Sequence, residues 1–120
     1  MFSRIIEILD SSPIVADYEI HQLIEEISAS FLRVEVIFVD ESKLYIKELL
    51  FPDGSKYSYH WQDADGKLLV RWDNAPHHPE ISTYPNHKHV GDEVLSSSRI
   101  SIEDVLSAIR AQIASHSNTL

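Results

Sequence analysis

Five of the seven histidines lie between residues 56 and 92, a stretch that also carries both tryptophans. Imidazole gains and loses a proton near neutral pH, so two histidines can serve as the base and the acid of one reaction. A guanidinium or an ammonium group can stabilise charge on a reacting phosphorus atom. Acid–base cleavage of a phosphodiester is therefore one chemistry that this stretch can support. The candidate catalytic residues are His60, Arg71, Asp73, His77, His78, His87, Lys88 and His89, with Arg71 and Lys88 as the phosphate contacts.

The same stretch allows two other interpretations. His87 and His89 are two residues apart, which places both rings on one side of an extended segment, and Glu80 or Asp92 is available to complete a metal site. This spacing is weakly specific. In the other interpretation, the side chains hold an irregular segment together by hydrogen bonds, and that segment docks a protein partner without catalysis.

The prolines constrain the histidine pair at the centre of the stretch. Pro76 and Pro79 fix their own φ angles and restrict the residues before them, so His77 and His78 lie in a stiff, extended or turned backbone. Adjacent side chains of an extended chain point to different sides. We therefore do not expect these two histidines to share one metal ion.

Length and charge limit the class of protein. The 120 residues predict a single domain over residues 1–120. The net charge of −9 argues against broad electrostatic binding of nucleic acid, although a small basic site remains compatible with it. The absence of cysteine excludes disulfides and thiolate ligands. Neither a signal peptide, a membrane span nor a nucleotide-binding motif is recognisable, so we expect a cytoplasmic protein without a cofactor. The oligomeric state is not predicted.

Helical periodicity marks both ends of the chain. Apolar residues recur at helical spacing over residues 2–10, and a second apolar stripe over residues 102–114 follows Ser101, which has the features of an N-cap residue with Asp104 three positions later. Residues 115–120 are expected to be frayed. Residues 14–27 fit either a strand or a helix, and a strand is favoured.

Two β-hairpins are predicted between the helices. The first joins residues 31–38 to 44–51, with Phe38 facing Leu44 and Glu35 facing Lys47, which requires Ser42 in a left-handed conformation. The second joins residues 56–62 to 67–73 through a four-residue loop. Its predicted partners are Gln62 with Lys67, Trp61 with Leu68, His60 with Leu69, Tyr59 with Val70, Ser58 with Arg71, Tyr57 with Trp72 and Lys56 with Asp73.

Together the hairpins predict a sheet with one apolar and one polar face. The fold class is α+β, an antiparallel β-sheet of about four to six strands with an N-terminal helix and a C-terminal helix packed on one face. The apolar face comprises Leu32, Val34, Val36, Phe38, Leu44, Ile46, Leu50, Tyr57, Tyr59, Trp61, Leu68, Val70 and Trp72. The polar face comprises Arg33, Glu35, Lys47, Ser58, His60, Arg71 and Asp73.

Three runs within the histidine-rich stretch resemble a known family. YSYHWQ at residues 57–62, RWDNAPHHPE at 71–80 and YPNHKH at 84–89 resemble the TumE family of bacterial and archaeal toxin–antitoxin proteins. The resemblance extends from near Tyr18 to the last helix and is loosest in the N-terminal third. It implies the toxin of a two-gene module whose partner is a small DNA-binding antitoxin. It implies no established reaction, but many small toxins of such modules cut RNA, which the histidine, arginine and lysine content would allow.

The chain departs from the family pattern at two positions. Asn86 stands where the family has the first imidazole of a His-His-Lys-His run, and Glu41 stands where glycine is common. A site that required the imidazole at position 86 would be weakened or inactive in this chain.

Overall fold

The computed structural model describes residues 2–117. These residues form one antiparallel sheet, and in sequence its strands follow one helix and precede another. Every strand pairs with its neighbours in sequence, in the order β1 to β7. The elements are α1 (Ser3–Ser11), β1 (Val15–Glu25), β2 (Ser30–Phe38), β3 (Lys43–Phe51), β4 (Gly54–Gln62), β5 (Leu68–Asp73), β6 (His87–Val90), β7 (Glu93–Ser96) and α2 (Ile102–Ser117).

The predicted helices and the strand at residues 14–27 are confirmed, but the strand number is wrong. The described residues form seven strands, not four to six, because β6 and β7 occupy a segment that was expected to be irregular. Gly91, with φ of 59°, is the first residue of their two-residue turn, a position where glycine is favoured. Helix α2 continues to Ser117, beyond the predicted end, and residues 118–120 of the tail expected to be frayed lie outside the described residues.

Strands β2 and β3 pair two residues away from the predicted register. Glu35 faces Tyr45, and Val36 faces Leu44, so the predicted pair of Glu35 with Lys47 is wrong. A shift of two residues leaves each side chain on its original face of the sheet. The predicted division of β2 and β3 into apolar and polar faces therefore holds even though the partners differ. In β5 the division is wrong at Leu68, which lies opposite Gln62 on the polar face, while Leu69 packs against the core.

The turn between β2 and β3 explains this register. Glu41, not Ser42, adopts the left-handed conformation, with φ of 71°. The backbone N–H and the hydroxyl of Ser42 both donate to Asp40 Oδ1, at 3.0 and 2.5 Å. Ser42 is 2% exposed, and its hydroxyl accepts a hydrogen bond from Trp61 Nε1 at 3.0 Å. The position of the Ser42 side chain is thus set by these bonds, because the buried indole N–H of Trp61 needs an acceptor.

Strands β4 and β5 are also shifted from the predicted register. His60 faces Arg71, and Asp73 faces Ser58, so the predicted pair of Lys56 with Asp73 is wrong. A tighter loop at residues 64–66 and a bulge in β5 account for the shift. The consequence for the site is direct, because the shift brings Arg71 beside His60.

The apolar face of the sheet packs with residues of both helices. Ser101 caps α2 as predicted, since its hydroxyl accepts from Asp104 N–H at 3.2 Å. None of the helices within residues 2–117 has the length and apolar character that a membrane crossing requires. The buried apolar residues are Phe2, Leu9, Ile14, Leu32, Val34, Val36, Phe38, Leu44, Ile46, Tyr57, Tyr59, Trp61, Trp72, Ile102, Val105, Leu106 and Ile109.

Replacement of Ser42 tests the role given to the turn. Ser42→Ala leaves the indole N–H of Trp61 without its acceptor, and we expect the free energy of unfolding to fall by about 1–3 kcal/mol. Urea denaturation followed by tryptophan fluorescence measures the change. Ser107→Ala, at an exposed position of α2, is the matched control and should be close to neutral. Equal stabilities of the two variants would contradict the role of Ser42.

Candidate functional site

The strand registers order the polar face of the sheet into rows. One row contains Glu35, Tyr45, His60, Arg71 and His89, in that order across β2 to β6. The adjacent row contains Arg33, Lys47, Ser58, Asp73 and His87. The sheet therefore places three histidines, an arginine and an aspartate on the neighbouring strands β4 to β6, on the face predicted to be polar.

The carboxylate of Asp73 lies buried at the centre of this arrangement, with the residue 5% exposed. Its Oδ1 accepts from the backbone N–H of Ala75 at 2.9 Å and lies 3.1 Å from His87 Nε2. Its Oδ2 accepts from Arg71 Nε at 3.1 Å and lies 3.5 Å from His89 Nε2. A buried carboxylate requires such partners, because an unpaired charge in the interior is costly.

Three histidine rings pack edge to face beside this carboxylate. The ring centroids of His87 and His89 are 4.9 Å apart, and those of His78 lie 5.0 and 5.7 Å from them. His87 is 2% exposed, and its Nδ1 lies 2.9 Å from the carbonyl oxygen of Pro85. A carbonyl only accepts, so Nδ1 carries the hydrogen. In the neutral ring, Nε2 then presents a lone pair to Asp73 and to His89 Nε2, which is 3.1 Å away.

The adjacent residues His77 and His78 have different environments. His78 is half-buried among the three rings, and its Nδ1 lies 3.2 Å from a carboxylate oxygen of Glu80. His77 is exposed and lines an open hollow of the polar face. Of the two imidazoles, only that of His78 packs with His87 and His89.

His60 lies in the open part of the site. Its Nε2 is 3.2 Å from Gln62 Oε1, and its Nδ1 is 3.4 Å from Arg71 Nη1. Burial lowers the pKa of His60 from its ordinary value of 6.5, and the Arg71 guanidinium lowers it further, against the effect of Gln62. Burial also lowers the pKa of His89, in opposition to the Asp73 carboxylate.

Arg71 lines two hollows on the polar face. One contains His60 and the other contains His77, so the arginine is shared between the surroundings of both histidines. Basic side chains are concentrated here in a chain whose net charge is −9. The lysines and arginines that line the two hollows are Arg33, Lys47, Lys56 and Arg71.

Two residues of the histidine-rich run lie on the other face of the sheet. Lys88 pairs with Trp72, a core residue, and is therefore separated from the neighbouring histidines that it was predicted to assist. Asn86 accepts a hydrogen bond from the hydroxyl of Tyr57 at 2.8 Å. The position at which the family has another imidazole thus contacts Tyr57 and does not join the group around Asp73.

Sequence reasoning missed several contacts of the site. Gln62 was recognised only as a strand residue, although it contacts His60, and the exposed Tyr45 packs its ring 6.1 Å from that histidine. The carbonyl of Pro85 leaves no residue-type signal. Asn74, directly after β5, joins the start of the connecting segment to β4, because its amide donates to the carbonyl of Ser55 at 2.9 Å.

Comparison with known proteins defines the class of this protein as a toxin of a toxin–antitoxin module. The family model described as Toxin TumE matches residues 5–115. The chain therefore belongs to the TumE toxin family, and an antitoxin is its expected partner. The match begins before Tyr18, where the resemblance was placed, and so includes most of α1. Searches of curated proteins and of solved structures found no match.

An NMR titration tests the electrostatic environment of His60. The pKa of His60 should lie below 6.5, and Arg71→Gln should raise it because a neighbouring positive charge is removed. Between the folded pKa and 6.5 the unfolded chain binds more protons, so His60 makes stability fall as the pH decreases through that window. Arg110→Gln, on α2, should leave the titration unchanged. An unshifted His60 in the Arg71 variant would contradict the described contact.

Proposed function

We propose that this toxin cleaves RNA by acid–base chemistry on the polar face of the sheet. His60 and His77 transfer the protons, and Arg71 contacts the scissile phosphate. The observation that carries this proposal is the position of Arg71, which contacts His60 and also lines the hollow that contains His77. An acid, a base and a phosphate-binding group are the parts that such a cleavage needs.

His60 is the base in this mechanism. Its lowered pKa keeps the ring neutral at neutral pH, and its Nε2–H donates to Gln62, which leaves the Nδ1 lone pair facing Arg71. A substrate phosphate that binds the guanidinium competes for this contact and exposes Nδ1. Nδ1 then takes the proton of the ribose 2′-hydroxyl as the 2′ oxygen forms a bond to phosphorus.

His77 is the acid that completes the reaction. As the bond between phosphorus and the 5′ oxygen breaks, a protonated imidazole supplies the proton that the leaving oxygen needs. His77 is exposed and follows directly after Pro76, so its ring is held at the edge of the hollow and remains accessible to a polymer. The products are a 2′,3′-cyclic phosphate and a free 5′-hydroxyl.

The surroundings of these residues suit a single-stranded RNA. The exposed side chains of Arg33, Lys47 and Lys56 supply charge for neighbouring phosphates. Tyr45, which is 37% exposed, offers an aromatic ring on which a base can stack. A local basic face on an acidic protein restricts contact with RNA to this side of the molecule.

The partner and the place of action follow from the same proposal. RNA is a cytoplasmic substrate, so the toxin acts in the cytoplasm. We propose that its antitoxin is a small DNA-binding protein, encoded beside the toxin, that suppresses toxicity when the two are produced together.

Expression in a bacterial host, with and without the neighbouring reading frame, tests the proposal together with an RNA cleavage assay on purified protein. Wild type should arrest growth and cleave RNA, and the antitoxin should relieve the arrest. His60→Ala and His77→Ala should each lower the cleavage rate by about 10²–10⁴-fold, the usual contribution of a general acid or base.

His116→Ala is the matched control, because this histidine lies on α2, and its cleavage rate should equal that of wild type. Cleavage by the His60→Ala/His77→Ala double variant at the wild-type rate would contradict the mechanism. If wild type arrests growth but neither wild type nor the double variant cleaves RNA, a non-catalytic toxin that binds a protein partner would be favoured.

A further inference from the structure

We propose that His78, His87, His89 and Asp73 form a zinc-binding site. These residues lie beside the groups assigned to RNA cleavage but do not include the proposed acid or base. One ring nitrogen from each of the three histidines lies within 4.8 Å of the other two. Three imidazoles and one carboxylate are a donor set that Zn²⁺ accepts in proteins.

The distances are close to those of an occupied site. Tetrahedral zinc with bonds of about 2.0–2.1 Å to nitrogen places its ligand atoms roughly 3.3 Å apart. His87 Nε2 lies 3.1 Å from His89 Nε2 and 3.1 Å from Asp73 Oδ1. A small movement of the half-buried His78 toward these atoms completes the arrangement, and the backbone of β5 and β6 already fixes the other three ligands.

The acceptors that converge on His87 Nε2 favour a cation or a proton between these atoms. His87 donates its Nδ1–H to the Pro85 carbonyl, so its Nε2 lone pair faces the Asp73 carboxylate and another imidazole nitrogen. Lone pairs that converge in a buried position repel one another unless a positive charge lies between them. A metal ion satisfies all of them at once, whereas one proton on His87 satisfies at most two.

Outer contacts hold the rings in the orientation that metal binding needs. Ligating histidines usually donate their second ring nitrogen to a carboxylate or a carbonyl. His78 has Glu80 in this role at 3.2 Å, and His87 has the Pro85 carbonyl at 2.9 Å. Glu80 therefore has a place beside the site as an orienting residue.

A second group of potential ligands lacks these features. Glu19, His21 and Glu35 also lie within ligand distance of one another, but none of the three is buried. Glu35 is already paired with Lys43 at 3.6 Å. Exposed acidic groups of this kind are common without a metal, so the buried histidine group is the one to which we assign zinc.

Bound zinc would tie the segment between β5 and β6 to the sheet. His78 belongs to this segment, whereas Asp73 and His87 belong to the two strands that it connects. The ion would also hold Asp73, which accepts the hydrogen bond from Arg71. The zinc ion would thus position Arg71, the phosphate-binding residue of the proposed RNA site. The protein supplies all four ligands, as it does in structural zinc sites.

Zinc content and affinity test this site directly. Purified wild type, freed of metal with a chelator and titrated with Zn²⁺ against a competing dye, should bind one zinc ion per chain. Saturating zinc should raise the melting temperature by about 5–10 °C. His78→Ala/His89→Ala, at two partly exposed positions, should lower zinc affinity by at least about 100-fold. Circular dichroism of the variant establishes that it is folded.

His77→Ala is the matched control, because it removes the adjacent imidazole outside the group and should bind zinc as wild type does. Equal zinc affinity of wild type and the His78→Ala/His89→Ala variant would overturn the proposal, as would failure of wild type to bind the ion. The RNA mechanism is tested separately, because the His60→Ala/His77→Ala variant should lose cleavage and keep its zinc. Zinc binding by a wild type that cleaves no RNA would leave the metal site supported and the proposed reaction contradicted.

Discussion

The burial of one carboxylate, that of Asp73, is the constraint on which the rest of the site depends. The residue is 5% exposed, and its oxygens contact Arg71, His87, His89 and the N–H of Ala75. Removal of a negative charge from water is costly, so these partners must be present in the folded state. They come from β5, from β6 and from the start of the connecting segment, and the carboxylate therefore fixes all three relative to one another.

The same constraint divides the histidines into two groups, for which different functions are proposed. Those that contact Asp73 or pack on its partners are buried or half-buried, and their ring nitrogens lie close to one another, which suits a metal ion. His60 and His77 lie outside this group, in the two hollows that Arg71 lines. The proposed RNA cleavage needs little enclosed volume, because an exposed polar sheet face with local positive charge can hold an extended RNA.

Apart from that of Leu68, the faces on which the side chains lie were predictable from the sequence, whereas the partners across strands were not. Alternation of apolar and polar residues places Tyr59 and Trp61 in the core and His60 on the polar face. A change of register by an even number of residues leaves each side chain on the same face. The pattern therefore cannot distinguish registers that differ by two residues. The position of Arg71 beside His60 is set instead by the loop at residues 64–66 and the bulge in β5. The β6–β7 hairpin was missed because prolines and histidines obscured the short alternation around Gly91.

A double-mutant cycle on Asp73 and His87 tests the central claim most directly. Asp73→Asn and His87→Gln are made singly and together, and the free energy of unfolding of each protein is measured by urea denaturation. If the carboxylate and the imidazole are bridged by a shared positive charge, whether a proton or zinc, the coupling free energy should be on the order of 1–3 kcal/mol. Effects that add to within about 0.3–0.5 kcal/mol would show two independent side chains and contradict the account.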